Sequence, residues 1–588
     1  MNKTLSITKR TLIVIVLISI LISACTKNDN QFAQLPVVLA TTTLQPTPDL
    51  VTPPISNPST MQQPTATATL LPPGPHNSDA SNAGLIVFSM ADGEYNHLFA
   101  YHPSYLPITR LTADEWDDVS PAISPDGTKI AFTSNRSGTY EVYILDLLEN
   151  SISQITNIGA HVSSISWSND GNYIAYDVYQ NGHYDLIIQS TFDPNEAPIQ
   201  LTDGNSNSFQ PAWSPDGSQI AFVTDRSGRY EIWLVRPRNL EERFVKLVDY
   251  ADADLAHPTW SPDGTWLAFC RHEPGDEVMM VNTLQSDANP ISIGKGSNPV
   301  WLPDGSGILV SLTLPNHTEI VAYSIADQHL VIPPISMPGS LSGYDWRAGY
   351  TSQGIQAYLE QNVIATPQPL WSDQPYTTDL SGRRSLVELE NVGPSQNLLS
   401  DAADDSFAQM RLVVQSKTGW DVLGNLESTT LPPTTTSMPD IPENWLFTGR
   451  AISLSMAPYE ADWMVVTREE FLGETYWRIW LKCKAQDGTC GEPIKTSIWD
   501  FNTRYSGDPL AYENGGEVTA APDGFWVDFT NLALRFGWER LPSLNNWRSY
   551  FPGIQFNTFV LRQGLTWEQA LQDIYPADQV QLIIEKSQ

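Results

Sequence analysis

Acidic side chains gather just before three apolar, strand-like runs of this 588-residue chain. They are Asp114, Glu115, Asp117 and Asp118, then Asp203, then Asp249, Asp252 and Asp254. Carboxylate oxygens are preferred Ca²⁺ ligands, and a concentration of them also attracts basic partners. A solvated acidic surface without a ligand is the third interpretation, and the residue types allow all three. They require no cofactor, and Ca²⁺ is the cation that they would accept.

Signs of catalytic chemistry are sparse. His161 and His257 lie near the same acidic segments, but at different offsets from Trp167 and Trp260, so a shared metal ion is not predicted. The chain contains no Gly-x-Ser-x-Gly elbow, His-Glu-x-x-His motif, Walker loop or dinucleotide glycine fingerprint. These observations favour a protein that is not an enzyme.

The four cysteines have different expected roles. Cys483 and Cys490 flank a turn-forming Ala-Gln-Asp-Gly sequence, and in a hairpin they would face each other at disulfide distance. A disulfide is therefore predicted, with two free thiols or a metal-binding pair as alternatives. Cys270 lies in a strand-like run and is predicted to be buried.

The first 24 residues have the pattern of a processing signal. Lys3, Lys9 and Arg10 precede an 11-residue apolar core at 12–22, which is too short to span a bilayer. The core ends in Ser23, Ala24 and Cys25, which resembles the bacterial lipobox, in which the cysteine is acylated and becomes the new N-terminus. The alternative is an ordinary signal peptide with an incidental Cys25.

Residues 25–83 are rich in Pro, Thr, Ser, Asn and Gln. Such a segment cannot bury enough apolar surface to offset its conformational entropy. It is predicted to be a disordered tether between the signal and a folded body.

A repeated motif organises residues 84–348. Trp213-Ser214-Pro215-Asp216-Gly217 precedes an apolar run, and its Asp recurs at 126, 170, 216, 263 and 304. A period of about 40–45 residues with several short strands is typical of propeller blades. Pro, Asp and Gly at these positions suit a tight turn, and the Trp is large enough to fill the space between blades.

The two ends of this region complement each other. Residues 85–89 match the second strand of a blade with no inner strand before it, whereas 343–346 match an inner strand with no blade after it. Joining them would remove two exposed sheet edges. The fold predicted is mainly β, a six-bladed propeller of four-stranded antiparallel blades with a split first blade.

The motif copies resemble the TolB-type propeller repeats, often called PD40 repeats, of bacterial envelope proteins. This resemblance implies a propeller that serves as a scaffold or as an accessory domain of peptidases and lyases. TolB itself carries an α/β domain before its propeller, so its role in the Tol–Pal system does not transfer directly.

Residues 349–588 are predicted to form an α+β domain with many Trp residues. A helix is expected over 400–418 with Ser400 as its cap, and another over 566–574 with a capping box at Thr566 and Gln569. The spacing of Gly and Trp is weakly similar to that of zinc D-Ala-D-Ala peptidases. The metal-ligand positions of that family fall on Leu446, Ser453 and Arg548, which cannot bind zinc, so the resemblance implies a degenerate domain.

Charge narrows the range of partners. With 32 basic against 66 acidic residues, the formal charge is −34, which disfavours nucleic acid and anionic lipid surfaces. The sequence predicts an exported, lipid-anchored protein, at a bacterial membrane and facing the periplasm or the exterior, that binds a protein or peptidoglycan partner. The alternative is a propeller-based hydrolase or lyase acting on cell-wall or polysaccharide fragments.

Overall fold

The computed structural model describes residues 84–102, 106–193, 196–237, 243–248, 250, 253–272, 275–285, 288–348, 370–371, 383–393, 397–433, 441 and 443–587. The predicted signal segment with Cys25, the predicted tether, Asp249 and Asp252 lie outside these residues, so the predictions made for them are not tested.

Six four-stranded antiparallel sheets follow one another between Leu85 and Arg347. Their strands are β1 (Leu85–Asp92), β2 (Tyr95–His102), β3 (Leu106–Arg110), β4 (Asp118–Ile123), β5 (Lys129–Ser134), β6 (Glu141–Asp146), β7 (Ser151–Gln154), β8 (His161–Trp167), β9 (Tyr173–Gln180), β10 (His183–Ser190), β11 (Ile199–Gln200), β12 (Ser208–Trp213), β13 (Ile220–Thr224), β14 (Glu231–Val235), β15 (Phe244–Val248), β16 (Leu255–Trp260), β17 (Trp266–Arg271), β18 (Glu277–Asn282), β19 (Ile291–Lys295), β20 (Ser297–Trp301), β21 (Gly307–Leu314), β22 (His317–Ser324), β23 (Leu330–Ser336) and β24 (Leu341–Arg347).

The sheets form a closed ring. The innermost strands β4, β8, β12, β16, β20 and β24 contact one another in sequence, and β24 contacts β4. In the first blade β24 pairs antiparallel with β1, so that Ile86 lies opposite Trp346 and Phe88 opposite Tyr344. The prediction of six blades with a split first blade is therefore confirmed.

The repeated turn is stabilised by local hydrogen bonds. Asp216 accepts hydrogen bonds from the Ser214 hydroxyl at 2.6 Å and from the Ser218 amide at 3.0 Å, and Gly217 has φ +70°. The Trp preceding the turn bonds to the neighbouring blade, as when the Trp260 indole donates to the Ala212 carbonyl at 3.0 Å. In the copies that begin with Trp167, Trp260 and Trp301, the motif thus defines a turn and also joins two blades.

Every innermost strand is interrupted by a bulge near its start. At the bulge one residue per strand has positive φ, and five of the six are not glycine: Ser120, Ser164, Gln210, His257, Asn298 and Gly343. Bulges re-aim side chains, and here they occur at the same level of all six strands. They bring a ring of mostly polar residues to one end of the propeller axis.

The described residues after 370 form an α+β domain, as predicted. Its strands are β25 (Leu386–Glu388), β26 (Leu398–Ser400), β27 (Leu426–Ser428), β28 (Ala451–Leu454), β29 (Met464–Phe471), β30 (Glu474–Lys482), β31 (Ile498–Asp500), β32 (Glu517–Thr519), β33 (Trp526–Asp528), β34 (Glu539–Arg540) and β35 (Thr558–Val560). Its α-helices are Asp404–Thr418, Ala457–Glu460, Pro509–Asn514, Phe529–Arg535, Trp567–Gln572 and Ala577–Ser587. The five-stranded sheet β32-β31-β29-β30-β33 is the largest sheet described in this domain.

The propeller and this domain share one apolar core. Tyr184 and Phe209 of the propeller belong to the same buried cluster as Trp477, Phe501 and Trp538 of the C-terminal domain. A continuous core disfavours independent motion of the two parts. Among the described helices, none has both the length and the apolar character needed to cross a bilayer.

Candidate functional site at the covered face of the propeller

The C-terminal domain covers one face of the propeller. At this face the outermost strand of each blade connects to the innermost strand of the next blade. Hydrogen bonds connect it to several blades. Arg535 donates to the Gly93 carbonyl of blade 1, the Gly524 amide to the Tyr179 hydroxyl of blade 3 at 2.7 Å, and Arg540 to the Pro315 carbonyl of blade 6 at 3.0 Å. This face is an intramolecular interface.

One lysine of the C-terminal domain reaches the ring of bulged residues. The Lys495 ammonium donates to the hydroxyls of Ser163 and Ser164 at 2.8 and 3.0 Å, and it lies 3.1 Å from a carboxylate oxygen of Asp177, whose side chain is fully buried. It also lies 4.7 Å from the centroid of the Tyr184 ring, within cation–π range. An ion pair with this many additional contacts offsets the cost of burying the Asp177 charge.

Lys495 belongs to a loop whose first part is closed by the disulfide. Residues 483–497, the capping loop, connect β30 to β31, and the sulfurs of Cys483 and Cys490 are bonded with their Cα atoms 6.0 Å apart. The predicted hairpin around the pair is wrong, because these residues form an irregular loop with one isolated bridge, Glu492 to Trp526. Packing against the propeller, rather than strand pairing, shapes the loop.

A cavity of about 670 Å³ lies between the capping loop and the end of the axis. Its wall includes Ser120 and Asn298 of the ring together with Glu492 of the loop. The backbone of Glu492 exchanges hydrogen bonds with that of Trp526 at 2.9 and 2.8 Å, which fixes its position. Its side chain is exposed at the wall of the cavity, although many protein atoms surround it.

The cavity changes the acid–base properties of its wall. Burial raises the pKa of Glu492 to about 7, with Asp528 and Asp117 adding to the effect and Lys495 opposing it. Burial lowers the pKa of His161 to about 3, so this imidazole is neutral. A carboxyl group with a pKa of about 7 can take up or release a proton in the physiological range.

His257 is held in place by hydrogen bonds to a neighbouring innermost strand. The backbone amide of His257 donates a hydrogen bond to the side-chain oxygen of Gln210 at 2.8 Å. The side-chain nitrogen of Gln210 lies 3.1 Å from Nδ1 of His257. Burial lowers the pKa of His257 to about 3. His161 packs instead between the rings of Tyr140 and Phe525. The two histidines are thus held by different partners.

The predicted acidic residues do not form a single exposed face. Asp117, Asp118 and Asp254 are buried and bonded within the chain, to Asn135, Arg136 and Ser497 respectively. Asp114, Glu115 and Asp203 remain exposed. Among the described rim residues, no three carboxylates come within reach of one ion.

The positions that correspond to zinc ligands in the peptidase resemblance have packing roles. Leu446 lies in the 3₁₀ turn Trp445–Thr448, the Ser453 hydroxyl bonds to that of Thr558 at 3.0 Å, and the Arg548 guanidinium lies over the Trp547 ring. They make three separate contacts within the domain, and the Arg548 side chain is exposed.

Sequence reasoning missed Glu492 and Lys495. The one local signal was their position shortly after Cys490, next to the segment that the disulfide closes. Neither residue belongs to a motif, and the hydrogen-bond partners of Lys495 lie more than 300 positions away, as Asp177 does.

Fold and site together define a class: a six-bladed β-propeller protein whose axial opening is closed by its own second domain. Residues 76–196 and 193–321 match the family model described as the TolB beta propeller domain. The propeller is therefore of the TolB type.

Curated relatives match short segments. The chain is 35% identical over 71 residues to "Tricorn protease homolog 1" of Streptomyces coelicolor, which covers 12% of this chain and 7% of that protein. It is 33% identical over 81 residues to "Protein TolB homolog" of Chlorobaculum tepidum, covering 14% and 19%. The chain thus spans less than a fifth of either relative's length.

Solved structures with a similar propeller include TolB from Acinetobacter baumannii, at 20% identity and a TM-score of 0.39, covering 45% of this chain and 67% of that one. An oligogalacturonate lyase in complex with manganese has 15% identity and a TM-score of 0.30, covering 44% and 74%.

Proposed function

We propose that the protein is an exported, lipid-anchored binding protein of the bacterial cell envelope, which holds a protein or peptidoglycan partner without catalysing a reaction. One observation carries the proposal: the chain's own C-terminal domain occupies the propeller face at which the axis opens, with Lys495 bound to Asp177. The C-terminal domain thereby obstructs the approach of a polymeric substrate to the ring of polar residues from this face. The partner therefore binds on the outside of the combined body.

The proposed partner site is the exposed part of the acidic rim. Asp114 and Glu115 are exposed beside Trp116, whose side chain keeps 43% of its surface accessible. Exposed Trp residues are enriched among the side chains that contribute most to protein interfaces. Acidic neighbours would add attraction for a basic partner and speed its association.

Crosslinking in the native envelope tests this site. We expect Trp116→Ala to lower recovery of the crosslinked partner about tenfold or more, because an anchoring Trp contributes upwards of 1.4 kcal/mol. Leu472→Ala is the matched control, since Leu472 is 89% exposed in the C-terminal domain. Equal recovery from both variants would contradict the proposed site. Retention on purified sacculi distinguishes peptidoglycan from a protein partner.

The proposed location at the membrane depends on the first 25 residues. An acylated Cys25 would hold the body at the membrane, whereas an ordinary signal peptide would release it. Fractionation of cells expressing the protein should place it with the membrane, and Cys25→Ala should move it to the soluble envelope fraction. Membrane association that persists in Cys25→Ala would argue against the lipid anchor.

A second candidate function, hydrolysis or elimination on small cell-wall or polysaccharide fragments, is supported by Glu492. A carboxyl group with a pKa of about 7 in a cavity of about 670 Å³ suits general acid–base catalysis on a small substrate. Turnover of peptidoglycan or pectin fragments that is lost in Glu492→Gln and kept in Glu513→Gln would favour this function. Absence of turnover in the wild-type protein would favour binding.

A further inference from the structure

Blade 5 carries a group of three potential metal ligands that belongs to neither site above. Cys270 lies near the end of β17, Asp276 lies directly before β18, and His272 lies in the turn between them. Their ligand atoms lie within 4.8 Å of one another, the sole such group of three within the described residues.

The Cys270 sulfur and the Asp276 carboxylate both lie near the same nitrogen of His272, which differs from a catalytic triad. The Cys270 sulfur lies 3.9 Å from Nδ1 of His272, and a carboxylate oxygen of Asp276 lies 2.6 Å from the same nitrogen. In a nucleophile–base–acid triad the thiol and the carboxylate contact opposite nitrogens of the ring. The imidazole and the carboxylate form a hydrogen-bonded pair here, and the three ligand atoms lie close enough together to bind a single ion.

The backbone holds this arrangement firmly. Cys270 pairs with Val278 and Arg271 with Glu277 across the two strands. The His272 amide donates to the Asp254 carbonyl at 2.9 Å, and the Asp276 carbonyl accepts from the Gly296 amide at 3.1 Å. Both ends of the turn are therefore anchored to neighbouring inner-strand segments.

Blades 2, 3, 4 and 6 have no cysteine at the position equivalent to Cys270. The equivalent strand position, opposite the residue before each bulge, is Thr133 in blade 2, Asp177 in blade 3, Val223 in blade 4 and Ser311 in blade 6. A buried cysteine is not required there for packing, because side chains of different size and polarity occupy the same place.

We propose that Cys270, His272 and Asp276 bind a Zn²⁺ ion through three protein ligands and leave its fourth position open. Thiolate, imidazole and carboxylate are all zinc ligands. One thiolate and one carboxylate neutralise the two charges of the ion, which favours its burial. His272 and Asp276 line a cavity of about 800 Å³ between blade 5 and the C-terminal domain, so the open position faces a space that admits water or a small ligand.

Cobalt binding tests the site with a readout that reports the thiol directly. The full chain is used with Cys25→Ser, its disulfide kept oxidised, so that Cys270 is its single thiol. We expect one equivalent of Co²⁺ with a thiolate-to-cobalt charge-transfer band, displaced by Zn²⁺. Cys270→Ser should abolish the band, and His272→Ala should weaken Zn²⁺ binding at least about tenfold, the least that losing even an outer partner of a ligand costs.

His183→Ala is the matched control. His183 pairs with Asp185 at 3.2 Å in blade 3, without a cysteine beside it. This variant should keep both the band and the affinity. Asp276→Asn distinguishes a lost ligand from a misfolded protein, because the Asp276 side chain is partly exposed. This variant should lower the affinity for the metal ion and leave the far-ultraviolet circular dichroism spectrum unchanged. A wild-type protein without the band, or a band that survives Cys270→Ser, would overturn the proposal.

Discussion

At the scale of single residues, the interface between the two parts of the molecule depends on Lys495. Its ammonium compensates a carboxylate that has no exposed surface, Asp177, and two hydroxyls complete its hydrogen bonds. Removing one partner of a buried pair leaves the other charge uncompensated, which costs far more than losing an exposed pair.

Lys495→Met should therefore lower the free energy of unfolding by about 3–5 kcal/mol. Lys129→Met, which removes the more exposed pair with Asp146, should change it by about 0–1 kcal/mol. Urea unfolding of the two variants measures both values. Similar small losses in both would show that Lys495 does not hold the domains together.

Glu492 makes stability depend on pH. Burial raises its folded-state pKa from 4.5 to about 7, so its contribution is fully present below pH 4.5 and is lost as the pH rises through about 7. Relative to Glu492→Gln, the wild-type protein should lose stability between these pH values. Unfolding measured at several pH values should show a widening difference. A pH-independent difference would mean that the cavity leaves Glu492 fully solvated.

At the scale of the elements, each blade is defined by its turn. The Asp of the motif accepts bonds from groups within two positions of it, and these bonds lower its pKa, as the Ser214 hydroxyl does for Asp216. The geometry of a turn therefore depends on its own residues and little on the rest of the fold.

Asp216→Ala should cost about 1 kcal/mol, since it removes hydrogen bonds that contribute about that much net. Asp216→Asn keeps one acceptor oxygen and should cost less. Because the folded-state pKa of Asp216 lies below 3.8, the wild-type advantage should persist above that pH and vanish as the pH falls through the folded-state value. Unfolding curves at neutral and acid pH measure it.

The disulfide positions the capping loop. It joins Cys483, at the end of β30, to Cys490, two residues before Glu492. The double variant Cys483→Ser/Cys490→Ser should lose roughly 2–3 kcal/mol of stability, as expected for a short closed loop. Hydrogen exchange should quicken in residues 484–497. The amides of strand β13, which pairs with a strand on each side, serve as the internal control. Unchanged exchange would mean that packing alone orders the loop.

At the scale of the whole molecule, the ring is closed by β24. Its Trp346 is 3% exposed and lies opposite Ile86 of β1, in a core cluster that joins blades 1 and 6. Because β24 pairs with the inner edge of β1, both ends of the propeller belong to one sheet, which limits the opening of the ring.

Trp346→Ala should cost about 3–5 kcal/mol, because it leaves a cavity at the closure. Trp116→Ala, with a side chain 43% exposed, should change stability by no more than about 0.5 kcal/mol. Denaturant unfolding compares the two directly. A small loss for Trp346→Ala would indicate that other strand contacts suffice to close the ring.

The amino-acid sequence alone determined the propeller and several local features of the C-terminal domain. Turn, strand and capping signals act over a few residues, so the five motif copies predicted the blades, and Thr566 and Gln569 form the expected capping box. The helix expected from Ser400 begins instead at Asp404, because Ser400 pairs in β26. Strand pairing overrode the capping preference there.

Only the tertiary structure decided where the C-terminal domain lies. Lys495 and Asp177 are 318 positions apart, and no local pattern links them. Tertiary packing also buried Asp117, Asp118 and Asp254, which the sequence did not distinguish from the exposed Asp114. Burial and pairing across such distances depend on how whole surfaces fit, whereas a turn depends on its own few residues.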